Sequence, residues 1–444
     1  MPGKDLKRQR SASKSHAIRP AKKPAEVAIP APASIPDESQ TATAVVSRRA
    51  ADRLRAGHVW VYRSDVISVP VEAPHLLAVV DQRGVLLGTA LYSPASEIPL
   101  RLISTELVAT EAEWLDLLAA RARDAVASRN QILSSRDTDA CRLIFSEADA
   151  LPGIIADKYG ELIILQLLTR ALDNEAVRIV VTNVLREVLD PATIPAAIVE
   201  RPDPRIRELE QLTTPPDAAP LYSRGEPTLR TVFRINDLQF HYDATAGQKT
   251  GAFLDQRENY AAAARHAHGE ALDVCTYQGG FALHLARACP RVTGVDVSRS
   301  ALEVAEQNLA ANCEALAGSE VDWIEANAFD LLRDWSDSGA VYDTIVLDPP
   351  AFAKSKRAVE GALRGYKELN LRALKMLRPG GTLVTCSCSH HVSLADFTSV
   401  VASAAGDARR RVRLLERRGA AADHPVVLTI PETEYLKCLI CRVE

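Results

Sequence analysis

The stretch from Ala271 to Asp296, ALDVCTYQGGFALHLARACPRVTGVD, constrains this chain more than any other. A short apolar run through Val274 meets the pair Gly279-Gly280. A helical pattern follows (Phe281, Leu283, Leu285, Ala286), and a second apolar run, Val292 to Val295, closes on Asp296. That order predicts a βαβ unit. Glycines at a strand-to-helix turn let the backbone approach a ligand closely, and the helix N-terminus beyond offers unbonded amides. The closing acid lies 296 − 279 = 17 residues past the first glycine, where a carboxylate can hold a ribose diol. A nucleoside cofactor fits such a site.

The loop reads D-x-C-x-x-Q-G-G rather than G-x-G-x-x-G, so a pyrophosphate finds fewer of the glycines it needs. This disfavours an NAD-dependent dehydrogenase. Asp273, one turn before the glycines, is placed to receive a positive group. S-adenosyl-L-methionine carries two, an ammonium and a sulfonium. The competing reading of the segment is an ordinary α/β crossover with no ligand.

At 444 residues, with 47% hydrophobic and 25% charged, the chain is long enough for two or three domains with proper cores. A net charge of −4 gives no whole-chain signal for a polyanion partner, so local clusters matter more. The eight cysteines are scattered, no apolar stretch approaches the roughly 20 residues that span a bilayer, and no secretory h-region follows Met1. Free thiols in a reducing cytoplasm are expected, with no membrane association. Cys438-x-x-Cys441 lacks the second ligand pair of a structural zinc site and reads as part of a buried strand; no metal is expected.

Four segments follow from the changes in pattern. Residues 1–43 are a basic arm (Lys4, Lys7, Arg8 and Arg10 among others) too poor in apolar surface to order itself. Residues 44–106 form a compact β-rich block. It opens with a basic helix from Ser47 to Gly57, and strand-like runs at Leu76 to Asp81, Val85 to Tyr92 and Ile98 to Ile103 suggest a small barrel. Residues 107–226 read as a small α+β middle domain: a helix from Glu111 to Arg136, several strands, a helix from Asn174 to Val188, and a loop from Arg201 to Pro216. Residues 227–444 open with a hairpin and continue as alternating strands and helices, the pattern of a doubly wound, mostly parallel sheet. Ligands of such sheets sit at the carboxyl ends of the strands.

Two motifs fall at that edge. Asp348-Pro349-Pro350 ends the strand through Leu347, and its prolines stiffen the rim while removing amide donors. A planar base can be gripped there, with Phe352 close enough to stack. The strand from Thr382 runs into Cys386-Ser387-Cys388-Ser389. Carbon 5 of a pyrimidine is a poor nucleophile until a thiolate adds to carbon 6, so a cysteine at this edge has a chemical reason. Packing is the competing role for each sulfur.

R-x-x-A-G-H-V-W-V-Y with G-x-A-L-Y-S-P resembles the PUA-type RNA-binding module, in which Trp60 and Tyr62 face RNA or pack the core. GQKTGAFLDQREN, the Y-Q-G-G-F loop, LDPPAFAKSK, RGYKELN and SCSHH together resemble the PUA-domain class I S-adenosylmethionine-dependent rRNA cytosine-C5 methyltransferases, the ribosomal RNA large subunit methyltransferase I type. The resemblance covers residues 45 to 444. It implies a Rossmann-like α/β methyltransferase domain beside the barrel, S-adenosyl-L-methionine as cofactor and 23S ribosomal RNA as partner. By motif it assigns Cys388 as nucleophile and Asp348 as the acid that bonds the cytosine ring. It assigns Asp255, Arg257, Asp273, Gly279 and Asp296 to the cofactor. Asn327 stands where such enzymes place an Asp near the adenine, and its amide is expected to bond the adenine amino group.

Departures keep alternatives open. Cys386 lies two residues from Cys388 on the same face of an extended strand, so either sulfur fits the nucleophile. Ala351 and Phe352 occupy the place of a product-releasing cysteine, which leaves His390 and His391 as candidate bases. A guanine-N2 methyltransferase and a catalytically silent RNA-binding assembly factor are the other functions considered. The oligomeric state is open, a homodimer included.

Overall fold

The computed structural model describes residues 42–188, 196–213, 219–226, 229–245, 252–353 and 355–444. The basic arm, save its last two residues, and the G-Q-K-T-G run at 247–251 lie outside these residues.

The first sheet has six strands: β1 (Thr43–Val46), β2 (Trp60–Val61), β3 (Val66–Ser68), β4 (Leu76–Val80), β5 (Leu86–Tyr92) and β6 (Leu100–Ser104). They lie in the order β2-β6-β5-β4-β1-β3, antiparallel except for the β1/β4 pair. Helix α1 (Arg48–Arg55) starts at Ser47, whose hydroxyl accepts from the Ala50 amide at 3.2 Å. Val46, Leu54, Leu77, Val79 and Leu100 fill the core between helix and sheet.

The helix expected from Glu111 to Arg136 is two, α2 (Glu111–Ser128) and α3 (Asn130–Leu133). It breaks at Arg129, where the backbone leaves helical geometry and the guanidinium turns inward to grip Asp149 at 2.7 and 2.8 Å. The second sheet contains β7 (Ala140–Phe145), β8 (Ile154–Tyr159), β9 (Leu162–Leu167), β10 (Ala197–Glu200) and β11 (Ala219–Ser223), in the order β11-β10-β9-β8-β7. Helix α4 (Glu175–Val188) packs on α2. The stretch read as a loop after Arg201 contains a short helix, α5 (Pro204–Leu209). It is capped by Asp203, with proline at its first position, a start signal that the surrounding prolines obscured.

The hairpin β12 (Arg230–Ile235) and β13 (Leu238–Asp243) turns through Asn236 and Asp237, both at positive φ, as a primed two-residue turn requires. Beyond it lie α6 (Arg257–His266), β14 (Glu270–Val274), α7 (Gly280–Leu285), β15 (Arg291–Asp296), α8 (Arg299–Ala311), β16 (Glu320–Glu325), α9 (Ala328–Ser338) and β17 (Tyr342–Leu347). The chain ends with α10 (Val359–Met376), β18 (Leu377–Ser387), α11 (Leu394–Asp407), β19 (Val412–Arg418) and β20 (Lys437–Val443). These strands make a seven-stranded sheet, β16-β15-β14-β17-β18-β20-β19, parallel as far as β18 with β20 antiparallel between its neighbours.

Both faces of this sheet are covered, which explains strands that read as continuous apolar runs. Ile345 and Leu347 pack on one face and Val346 on the other. Cys438 and Cys441 are buried on opposite faces of β20, so this C-x-x-C cannot gather around one ion. From β14 the chain runs outward through β15 and β16, then returns to the other side of β14 as β17. The switch point of this Rossmann-like fold therefore lies between β14 and β17, where an open α/β sheet forms its ligand crevice. Val274 pairs with Leu347 there, and the Asp348 amide donates to the Val274 carbonyl at 3.2 Å.

Candidate active site

The crevice is lined by Phe253, Cys275, Thr276, Tyr277, Gly280 and Asp348, with further apolar residues behind them. Asp273, on β14, is fully buried beneath it. One of its carboxylate oxygens accepts from the Thr276 hydroxyl (2.5 Å) and the Ala282 amide (2.9 Å), while Oδ1 has no hydrogen-bond partner among the described residues. Burial pushes this carboxyl up to about 7 against those two bonds, and the charge of Asp296 adds to the rise. A buried acid with one oxygen unmet fits a ligand that brings a positive donor.

Gly279 caps α7 at φ +86°, and a Cβ there would stand 2.9 Å from the Trp323 ring. At Gly280 a Cβ would meet Tyr260 at 2.6 Å. The glycine pair therefore serves packing behind the loop as well as backbone approach in front of it. Asp296 accepts from the Tyr277 amide and the Ser298 amide, both at 2.9 Å. A carboxylate offers about four lone-pair sites, so two remain for ribose hydroxyls. The Asn327 oxygen caps α9 through the Phe329 amide at 2.9 Å. Among the described residues its NH2 has no hydrogen-bond partner.

Asp348 accepts from the Gln256 side chain at 3.0 Å, and Gln256 is itself oriented by the Asn259 amide at 2.7 Å. The two sulfurs of the S-C-S region differ sharply. Cys386 is fully buried opposite Cys438, and burial pushes its thiol well above the ordinary value. Cys388, just past the end of β18, is half-buried, with Sγ 3.9 Å from the carbonyl of Pro349. The flanking serines turn the other way, into the protein. Ser387 donates to the Tyr366 phenol at 2.9 Å, and that phenol pairs with Ser389 at 2.9 Å. Ser-Cys-Ser is thus an alternation that anchors two hydroxyls on α10 and presents one thiol. His390 and His391 are both exposed, and the His390 ring lies 5.4 Å from that of Tyr435.

Phe352 packs on Tyr366 and Phe329, at ring-centroid distances of 4.8 and 5.8 Å. Trp60 donates to Glu147 at 2.8 Å, and Tyr62 lies under the Arg53 guanidinium. Asp255 accepts the Tyr435 hydroxyl at 2.6 Å, with its other oxygen unmet. Arg257 requires a correction. Its side chain is 5% exposed and both terminal nitrogens clasp Asp423, at 3.0 and 3.2 Å, so among the described residues it serves as a buried structural cation. Asp423 is 166 residues away in sequence, which is why the L-D-Q-R motif alone pointed elsewhere.

A model of the PUA-like domain matches residues 45–105, and a model described as S-adenosylmethionine-dependent methyltransferase matches residues 162–437. The chain belongs to the S-adenosylmethionine-dependent methyltransferase family. S-adenosyl-L-methionine is therefore the cofactor of this methyltransferase, and the unmet Asp273 oxygen and the outer lone pairs of Asp296 suit it. The enzyme is 37% identical over 398 residues to the ribosomal RNA large subunit methyltransferase I of Shewanella denitrificans, covering 88% of this chain and 96% of that one. It is 36% identical over 397 residues to the protein of that name from Pseudoalteromonas translucida, with the same coverage. Its fold is that of SMU.776, solved in complex with SAH (TM-score 0.74, 19% identity, 90% of this chain and 99% of that one). A SAM-dependent methyltransferase from Streptococcus mutans aligns similarly (TM-score 0.73, 18% identity, 90% and 99%). No described helix is long and apolar enough to cross a membrane.

Proposed function

We propose that this enzyme methylates carbon 5 of a cytosine in large-subunit (23S) ribosomal RNA in the cytoplasm, through a covalent adduct at Cys388. The observation that carries the reading is the half-buried thiol of Cys388 beside Pro349, in the turn whose Asp348 lines the cofactor crevice. The names of the relatives support ribosomal RNA as substrate.

The thiolate of Cys388 adds to carbon 6 of the base, and the carbon 5–carbon 6 π pair moves onto carbon 5. Asp348, oriented by Gln256 through one oxygen, donates the carboxyl proton of its other oxygen to the ring nitrogen, so that the ring accepts this charge. S-adenosyl-L-methionine supplies the electrophilic methyl group that carbon 5 takes up, leaving S-adenosylhomocysteine. A base then removes the carbon 5 proton, the C–H pair re-forms the double bond, and the sulfur leaves as thiolate. His390, exposed two residues from the nucleophile, is the nearest base along the chain.

The test is nucleoside mass spectrometry and site mapping on ribosomal RNA from cells lacking the gene, complemented with wild type or Cys388→Ser. One 5-methylcytidine restored only by wild type is expected. A methyl group on an exocyclic nitrogen, or full restoration by Cys388→Ser, overturns the reading.

A further inference from the structure

Lys437, the first residue of β20, is 4% exposed. Its Nζ donates to the carbonyls of Ser389 (2.7 Å) and Tyr435 (2.8 Å). No carboxylate oxygen of the described residues lies within 4.0 Å of it. A buried ammonium without a counter-ion is costly, and proteins retain one only where something compensates it. Lys437 pairs in register with Ser387, and its Nζ reaches the carbonyl of Ser389. The ammonium therefore sits under the turn whose central residue is Cys388.

We propose that Lys437 is the counter-ion of the Cys388 thiolate, a positioning residue that holds the Ser387 to Ser389 turn and stabilises negative sulfur. The inference rests on the nucleophilic role given to Cys388 above. Burial pushes Lys437 down to about 8; the negative form of Cys388 is the foremost influence in the opposite direction, ahead of Glu434. A neighbouring cation is the usual device by which a protein lowers the cost of a thiolate.

Other ionisable groups of the described residues also lie near this turn. Tyr366, from α10, is raised by burial and serves as a neutral hydrogen-bond partner. Asp348, which precedes the Pro349 carbonyl beside the sulfur, is an acid and brings no positive charge. Cys275, on the crevice wall, is raised by burial. Glu434 acts on Lys437 itself, and His390 is exposed with its ring 5.4 Å from that of Tyr435.

The test uses the full chain without RNA. Alkylation of Cys388 by iodoacetamide is followed against pH by peptide mass spectrometry, with exposed Cys313 as internal reference. Lys437→Gln, which keeps a donor for the two carbonyls but no charge, is expected to raise the alkylation midpoint of Cys388 by about one pH unit or more. Alkylation at pH 7 then slows about tenfold, while Cys313 is unaffected. Lys437→Arg restores the wild-type midpoint. A wild-type midpoint in folded Lys437→Gln overturns the proposal. If that variant does not fold, the reciprocal measurement decides: in protein labelled with 13C at lysine, Cys388→Ser shifts the Lys437 titration to lower pH, and an unmoved titration overturns the proposal. Because alkylation requires neither RNA nor methyl transfer, it stands apart from the methylation mapping that tests the cytosine reading.

Discussion

Arg257→Met separates two roles for one residue. The pair it forms with Asp423 is buried on both sides (5% and 0% side-chain exposure) and bidentate, and Arg257 also reaches the Ala140 carbonyl at 3.4 Å. Removing one partner of a buried pair strands the other charge, at about 3–5 kcal/mol. Asp423 keeps a 2.7 Å bond from the Arg142 amide, which places the expected loss near the lower bound, about 3 kcal/mol. The assay is urea unfolding followed by tryptophan fluorescence, read as a lower midpoint at unchanged slope. In parallel, calorimetry with S-adenosylhomocysteine should show affinity unchanged within about threefold, under ~0.7 kcal/mol. The double variant Arg257→Met/Asp423→Leu should recover much of the loss, because no buried charge is then left alone. A stable Arg257→Met protein that has lost cofactor affinity would falsify the structural role.

The pair also has a pH signature. Burial pushes the Asp423 carboxyl up, but His424, Arg257 and the Arg142 amide together hold it well below the usual carboxylate range. With the folded value below the unfolded one, this stabilisation is fully present above about pH 3.9 and fades as pH falls below it. In Arg257→Met the stranded acid can protonate, so the gap between the two unfolding midpoints should narrow from about pH 6 toward pH 3. A gap that widens on acidification contradicts this account.

Asp273 gives the opposite sign. Its carboxyl is raised to about 7 and must ionise to meet a cationic donor, so S-adenosylhomocysteine affinity should climb by up to about tenfold per unit between pH 5 and 7, then level off. Calorimetry with Asp273→Asn should give a weaker and flat profile; a flat wild-type profile would sink the assignment. Cys386→Ala should cost about 1 kcal/mol of stability through lost packing yet keep methyl transfer, whereas Cys388→Ser should abolish transfer. Inactivation by Cys386→Ala with the fold intact reverses the choice of sulfur. Tyr366→Phe removes the hydroxyl shared by Ser387 and Ser389 and should cost about 1–3 kcal/mol while slowing turnover. Wild-type rate and midpoint would show that the serines do not hold the Cys388 turn.

What the sequence disclosed divides along chain distance. The βαβ unit, the basic helix that opens at Ser47 and the hairpin before the catalytic half are set by neighbouring residues, so their local chemistry was legible. Asp348 and the glycine loop were legible as separate signals, because each ends a strand of recognisable pattern. Their meeting depends on the pairing of Val274 with Leu347, and only strand order fixes that. The residues that orient the site were not legible. Gln256 bonds Asp348 across 92 positions, and Lys437 reaches the Ser389 carbonyl across 48. A lysine opening an apolar strand looks like an ordinary exposed end until its burial is known. Arg129 was hidden for the same reason, since helical periodicity does not record that a long cation turns inward and ends the helix.

The acids first read as cofactor ligands have an earlier task in the fold. Cys275 (φ 64°) and Tyr277 (φ 52°) both occupy the left-handed region that side-chain-bearing residues avoid, at about 1–3 kcal/mol each, and Gly279 (φ 86°) follows two residues later. Such a loop persists only where its surroundings fix it. Asp273 fixes it from below through the Thr276 hydroxyl and the Ala282 amide, and Asp296 from the adjacent strand through the Tyr277 amide. Each carboxylate therefore uses part of its accepting capacity to shape the loop and keeps the rest toward the crevice. Loop geometry and ligand recognition are then properties of the same two side chains, so changing either acid perturbs both. Loss of affinity in an Asp296 variant consequently identifies a ligand contact only if Tyr277 retains its backbone conformation, a condition that Asn, which keeps one acceptor oxygen for the amide, meets better than Ala.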